Sequence, residues 1–307
     1  MPPPTISVVI PTRNGARTLP RLIDRLWEQR VSGTLDITIV DSTSTDGTED
    51  LVRDRVSRVI QIDRKTFNHG LTRNLGIESA TGDLVVLMVQ DALPASRDWL
   101  ARLVAPLLAD ETIAGSFARQ QPRRKASAVT RHHLAKWVAA KDTGGTAAID
   151  GQDAFDELTP AERFDRCAFD NVCSCIRRSV WRDHPFKEAM VAEDFEWGRE
   201  VLLAGHRLVY VPDAVVLHSH ERSSWYELRR TRALHRRLFD LFELQAMPSL
   251  FGLMRAISAN MFRHIWLEIG TPSRFPRILG LAVAWPLGQY LGARAGARHA
   301  PRRELLR

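Results

Sequence analysis

Between residues 5 and 90 the chain alternates short apolar runs with stretches of helical spacing. Thr5–Ile10 (TISVVI), Leu35–Val40 (LDITIV) and Leu84–Val89 (LVVLMV) predict buried strands, and Arg58–Ile62 predicts another. Leu19, Leu22, Ile23, Leu26 and Trp27 recur at helical spacing within 16–30, a second helix starts at Asp46, and a third covers His69–Ala80 before Thr81-Gly82. Strand–helix alternation with near-continuous apolar strands predicts an α/β fold built on a mostly parallel, doubly wound, Rossmann-like sheet. Such sheets bind ligands beyond the carboxyl ends of their strands. That rule brings Pro11, Thr12, Arg13 and Asn14, then Asp41 and Ser42, then Gln90 and Asp91, to one rim.

Further on the pattern is less regular. Residues 119–165 carry a basic patch (Arg119, Arg123, Arg124, Lys125) and a Gly/Asp-rich loop, and read as an acceptor-side insertion or lid. Phe169–Ile176 predicts a strand and Asp194–Ala204 a helix ended by Gly205. Leu208–Val211 and Ala214–His218 predict two short strands around Pro212-Asp213. From Arg222 the spacing is helical. Trp225, Leu228, Leu234, Leu238 and Leu241 share one face, with two more helices near 250–268 and 275–293. The predicted organisation is therefore a 1–221 α/β domain and a basic, amphipathic helical region over 222–307.

Charge sharpens this division. Residues 222–307 hold fifteen Arg, no Lys and five acids, a net of +10, which leaves −3 of the overall +7 for the body. A mildly acidic body excludes nucleic acid as its partner, and the cationic region suits an anionic membrane face or a homodimer contact. Three cysteines without CxxC spacing (Cys167, Cys173, Cys175) point to a reducing compartment rather than a disulfide framework. The start, Met1-Pro-Pro-Pro, lacks the pattern of a secretory signal, and the apolar stretch Ile278–Ala293 is slightly short for a bilayer span. The expectation is a cytoplasmic protein, peripheral at most on the inner membrane face.

Several polar positions could carry chemistry. Asp41-Ser42 closes a buried strand, as a turn or as an acceptor for the donors of a nucleotide. Asp91 follows a purely apolar run, as a turn residue or as a ligand to Mg²⁺ or Mn²⁺ bridging diphosphate oxygens. Glu193-Asp194 stands before a helix, where one carboxylate can cap and the other take a proton from a hydroxyl. His218-Ser-His220 follows a strand and could complete a metal shell. Asn68, His69, Gly70, Arg73 and Asn74 make an unusually polar strand-to-helix junction, either a capped helix start or a set of groups that reaches a nucleotide or sugar.

Five motifs occur in order: Val-Val-Ile-Pro-Thr-Arg-Asn (8–14), Ile-Val-Asp-Ser-Thr-Ser-Thr-Asp-Gly-Thr (39–48), Arg-Asn-Leu-Gly-Ile (73–77), Gln-Asp-Ala (90–92) and Ala-Glu-Asp-Phe-Glu-Trp-Gly (192–198). This series resembles the family-2 glycosyltransferases of GT-A fold over roughly residues 5–220. Phe-Asn-His-Gly (67–70) and Gln-Asp-Ala make it most similar to bacterial rhamnosyltransferases of polysaccharide assembly. The resemblance implies a nucleotide pocket from Pro11, Thr12, Arg13, Asp41 and Asp46. It implies Asp91 as the last Asp of an Asp-x-Asp metal motif, His218 or His220 as a further ligand, and Asp194 as the base with Glu193 beside it. Trp197 and Arg119 are placed on the acceptor side. The implied reaction moves a sugar, L-rhamnose from dTDP-L-rhamnose by this analogy, to a glycan or lipid-linked saccharide with inversion. UDP- or GDP-sugar donors are the alternative. Val89 occupies the first Asp position of the metal motif, a departure that shifts metal binding toward the diphosphate and a His. A sugar-nucleotide nucleotidyltransferase would want a Gly-rich basic loop after the first strand, which Pro-Thr-Arg-Asn-Gly-Ala-Arg (11–17) matches poorly, and Val89 is the one feature favouring an inactive scaffold.

Overall fold

The computed structural model describes residues 4–299. In chain order these form β1 (Thr5–Thr12), α1 (Leu19–Trp27), β2 (Thr34–Asp41), α2 (Thr48–Val52), β3 (Arg58–Gln61), α3 (His69–Ser79), β4 (Leu84–Met88) and β5 (Leu93–Pro94). Next come α4 (Trp99–Ala109), β6 (Ile113–Gln121), α5 (Ala128–Leu134), β7 (Gly145–Ala147), α6 (Gly151–Glu157), α7 (Pro160–Arg166), β8 (Cys173–Arg177), α8 (Arg178–Asp183), α9 (Glu193–Leu203) and β9 (Arg207–Leu217). Three long helices follow: α10 (Ser224–Phe242), α11 (Leu250–Leu267) and α12 (Phe275–His299). The last residues of the expected basic region, 300–307, lie outside the described part.

The described strands join one sheet in the order β3-β2-β1-β4-β8-β6-β9-β5, with β7 on β9. The first four are parallel, so their carboxyl ends share one edge. β8 enters antiparallel to both β4 and β6, and β6 and β9 are again parallel. The sheet is thus mixed beyond β4. Strand–helix alternation signals only the parallel half, because β8 arrives after the irregular 119–165 stretch and pairs where no periodicity marks it. The two short strands expected around Pro212-Asp213 are one strand, β9, with a register shift opposite Ala118/Arg119 that absorbs the proline. Gly47, at φ 78°, precedes α2, which starts at Thr48 rather than Asp46.

The chain separates into two compact units. One comprises residues up to 123, 134–157 and 166–218; the other comprises 124–133, 158–165 and 219 onward. In the first, all five residues of β4 are buried, and α1 lays Leu19, Leu22, Ile23 and Leu26 on the same core. α3 comes close to the sheet because Gly76 has no side chain: a Cβ there would stand 2.3 Å from Val9 Cγ1. In the second unit, Val129, Ile278, Leu281 and Trp285 form a separate small core with Leu267 and Phe275. No helix among the described residues is long and apolar enough to cross a membrane.

Candidate active site

The ends of β1 and β2 are held by a polar network. The Gln90 side chain clasps the chain after β1: its Oε1 accepts from the Thr12 hydroxyl and from Arg13 N–H at 2.9 Å, and its Nε2 donates to Arg13 O at 3.0 Å. Ser42 N–H donates to Thr12 O at 2.9 Å, tying the two strand ends together. Asp41, almost wholly buried, accepts from Ser44 N–H at 2.9 Å and from the Ser44 hydroxyl at 2.5 Å. Asn14 Oδ1 accepts from Thr45 N–H at 2.9 Å, and Asp46 accepts from Ala16 N–H at 3.1 Å. The Thr48 hydroxyl bonded to Asp46 holds that carboxyl below its usual range. Two buried polar atoms on this rim, Ser42 Oγ and Arg13 Nε, have no hydrogen-bond partner, the signature of a place where a ligand completes the network.

Backbone strain gathers at the same edge. Asn14 (φ 49°), Thr43 (φ 53°) and Ala192 (φ 59°) are non-glycine residues in the left-handed region. They follow β1, follow β2 and precede α9 respectively. A β-branched residue such as Thr43 adopts this conformation only when its surroundings impose it, and such positions concentrate at functional sites.

The polar junction at 68–74 faces protein. Asn68 caps α3 by accepting from Gly70 N–H and Leu71 N–H, and also accepts from Ala189 N–H at 3.0 Å. Asn74 holds the segment before α9: Nδ2 donates to Phe186 O at 2.7 Å, and Oδ1 accepts from Trp181 Nε1 at 2.9 Å and Phe186 N–H at 3.1 Å. Gly70 is needed because a Cβ would stand 1.9 Å from Lys187 O. Arg73 is 3% exposed, donates to His69 O at 3.0 Å and pairs with Glu193 Oε1 at 2.9 Å. Asn68 and Asn74 thus hold the 181–189 segment and Arg73 holds Glu193, so these residues support Glu193-Asp194, while the buried Arg73 Nε has no hydrogen-bond partner. His69 is half-buried against Phe67.

Asp194 opens α9 in the turn where carboxylates complement the helix dipole. Its Oδ2 accepts from Asn171 N–H at 3.2 Å and its Oδ1 from Phe195 N–H at 2.9 Å. Burial above all, then the neighbouring carboxylates of Glu193 and Asp170, push Asp194 well above the usual carboxylate range. A carboxylate displaced in this direction is a stronger base and suits proton transfer near neutral pH.

Asp91 follows β4. Its Oδ2 lies 3.0 Å from Arg123 Nη2, and its Oδ1 lies 3.6 Å from His218 Nε2. His218, at the end of β9, is buried, and its Nδ1 is 2.9 Å from Gln120 Oε1. Gln120 in turn donates Nε2–H to Asp170 Oδ2 at 2.6 Å. A carboxylate only accepts, so the Gln120 NH₂ is turned to Asp170 and its carbonyl to His218. His218 Nδ1 therefore carries hydrogen, and Nε2 points its lone pair toward Asp91. An Asp91 oxygen and a His218 ring nitrogen therefore stand side by side, an oxygen-and-imidazole donor set that fits a divalent ion such as Mn²⁺ or Mg²⁺. His220 follows two residues along the chain, in the second unit.

Asp170 is the residue that the sequence pattern did not single out. It also accepts from Trp137 Nε1 at 2.6 Å and Val172 N–H at 2.9 Å. A readable signal was available in Asp170-Asn171, a charged and a polar residue between Phe169 and the apolar start of β8. The residues expected on the acceptor side, Trp197 and Arg119, lie in α9 and β6. Trp197 is 2% exposed, packs on Phe169 and Phe186 and donates to His184 O at 2.9 Å, so it is a core residue with no face for a sugar. Arg119 lies in β6 and pairs with Asp142.

A mixed sheet whose parallel strand ends carry a strained polar rim, an acid–imidazole pair and a proton-avid carboxylate has the layout of an enzyme active site. The chain belongs to glycosyl transferase family 2, whose model matches residues 7–173, and it is a glycosyltransferase. It is similar to the O-antigen chain rhamnosyltransferase RfbN of Salmonella typhimurium, 29% identical over 94% of this chain and 89% of that one. It is also similar to the O-antigen chain rhamnosyltransferase WbaN of Salmonella anatum, 26% identical over the same shares. Among solved structures, the mannosyltransferase PcManGT of Pyrobaculum calidifontis, in complex with GDP-Man and Mn²⁺, superposes with TM-score 0.56 at 21% identity over 97% of this chain and 76% of that one. Glucosyl-3-phosphoglycerate synthase of Mycobacterium tuberculosis, with Mn²⁺, UDP and glucosyl-3-phosphoglycerate, gives 0.54 at 19% identity over 80% and 82%. The GT-A fold expected from the motifs is the fold of this chain.

Proposed function

We propose that the protein transfers L-rhamnose from dTDP-L-rhamnose to a hydroxyl of a glycan or lipid-linked saccharide at the cytoplasmic side of a membrane, with inversion at the anomeric carbon. The observation that carries this reading is the pairing of an Asp91–His218 donor set able to hold a cation with a proton-avid Asp194, joined through Asp170 and Asn171. The rhamnosyltransferase relatives supply the sugar. Pro11, Thr12, Arg13, Asn14, Asp41, Ser42 and Asp46 hold the nucleotide, the orphaned Ser42 hydroxyl being the donor awaiting an acceptor.

Asp91 and His218 would hold the divalent ion. When bound, the ion neutralises charge developing on the departing diphosphate. Asp194 takes the proton of the acceptor hydroxyl. The freed oxygen bonds to the anomeric carbon opposite the leaving group, and the anomeric C–O bond to phosphate breaks. The Arg73–Glu193 pair fixes where α9 begins and hence where Asp194 stands.

A donor panel tests the proposal. The protein is incubated with dTDP-rhamnose, UDP-glucose or GDP-mannose, a panel of lipid-linked saccharide acceptors and Mn²⁺, and the anomeric configuration of the new glycosidic bond is read by NMR. Turnover of the dTDP sugar alone, with inversion, supports it; preference for a UDP or GDP sugar, or retention, removes the rhamnose or inverting part.

A further inference from the structure

In the second unit, helix α11 buries only Leu253 and His264 fully, and His264 Nδ1 lies 2.9 Å from Ile278 O of α12. Its other side is apolar and uncovered among the described residues. Phe251 is 80% exposed, Phe262 81%, Trp266 74% and Ile269, just past the helix, 72%; Leu250, Met254, Met261 and Ile265 join them. At 100° per residue these positions fill an arc of about 160°, roughly opposite Leu253 and His264. A contiguous apolar face of this kind is covered in the working state of a protein.

Charge selects what covers it. α11 contains Arg255 and Arg263 and no acidic residue. The nearest acid, Glu268, is buried and engaged by Thr271 and Arg274. A second copy packed face to face would bring four arginines together with no carboxylate of α11 to offset them. An anionic lipid surface complements the arginines and takes up the aromatics, the arrangement of helices that lie in the headgroup plane. Two further aromatics of the cationic region, Phe242 and Trp285, lie outside this face. Phe242 is fully buried, and Trp285 is buried and stacked on His133 at 3.8 Å, so neither is available.

We infer that α11 is the membrane-docking element of this protein. Phe251, Phe262, Trp266 and Ile269 insert among the acyl chains of an anionic leaflet, and Arg255 and Arg263 contact its headgroups. The inference stands apart from the transfer reaction, and its failure leaves the reading of the active site untouched.

Vesicle flotation of the full chain tests it, with phosphatidylglycerol-rich vesicles against pure phosphatidylcholine. Wild type should float with the anionic vesicles, and Phe251→Ser/Phe262→Ser/Trp266→Ser should bind at least about 1,000-fold more weakly, each of the three rings contributing roughly tenfold or more. Arg255→Gln/Arg263→Gln should lose about 25-fold on anionic vesicles at low salt, about fivefold per charge. In a check that needs only a mild change, brominated lipid should quench wild type more than Trp266→Phe. Failure of the wild type to float, equal flotation of the triple variant or equal quenching overturns the inference. So does a dimer in lipid-free solution that the triple variant dissociates.

Discussion

Asp170 Oδ2 accepts the Gln120 side-chain N–H at 2.6 Å, and through that bond a carboxylate outside the reacting groups dictates which ring nitrogen His218 turns toward Asp91. The same Asp170 raises the proton affinity of Asp194. One buried acid thus tunes both the proposed metal side and the proposed base side.

Asp170→Asn frees the Gln120 amide to flip and lowers the negative charge near Asp194. The expected outcome is a 10–100-fold (order-of-magnitude) loss of Mn²⁺ affinity, the usual cost of removing a hydrogen-bond partner behind a ligand. The acid limb of the pH–rate profile should also move to lower pH, because Asp194 acts deprotonated and one cause of its raised value is gone. Mn²⁺ titration by electron paramagnetic resonance and pH-dependent turnover measure the two effects separately. An unchanged acid limb would detach Asp170 from the base.

Gly70→Ala places a methyl group where Lys187 O now lies 1.9 Å away. The 184–189 segment must shift, and with it the start of α9. Melting temperature and turnover should both fall, while Leu71→Ala, at an exposed position of the same helix, should be near neutral.

The Arg73–Glu193 pair is buried on both sides. Arg73→Met strands the Glu193 charge and should cost about 3–5 kcal/mol in denaturant unfolding. Adding Glu193→Gln should restore part of that loss. Additive losses in the double variant would show that the two side chains are uncoupled.

His235, buried in α10 with Nδ1 unpartnered, is lowered by desolvation to about 4. A histidine depressed in the folded state contributes stability that is full above its unfolded value near 6.5. That stability declines as pH falls toward 4 and then levels off. The loss should be on the order of 3 kcal/mol, and His235→Leu should flatten that part of the stability–pH curve. A variant as pH-sensitive as wild type would assign the effect elsewhere.

The parallel half of the sheet and its rim were legible because β1, β2 and β4 are near-continuous apolar runs that end in polar residues, a pattern with few physical solutions. The antiparallel entry of β8 was not, since pairing with β4 across the 84 intervening residues (89–172) leaves no local trace. Asp41, Asp91, Asp194 and His218 could be picked out because a charge or imidazole at the edge of an apolar element needs a partner. Asn68, Arg73 and Asn74 carried the same signal, yet their partners include backbone, Trp181 and Glu193, which spacing cannot distinguish from a ligand. Trp197 misled for a related reason. An aromatic inside a functional motif can serve the core, and only the packing of Phe169 and Phe186 around it decides.

The most direct test of the account compares wild type with Asp194→Asn, a change that preserves shape and removes the base. Binding of dTDP with Mn²⁺, followed by calorimetry, should stay within about twofold, while turnover of dTDP-rhamnose should fall by about 10²–10⁴. Turnover close to wild type in that variant would contradict the assignment of Asp194 as the group that takes the acceptor's proton.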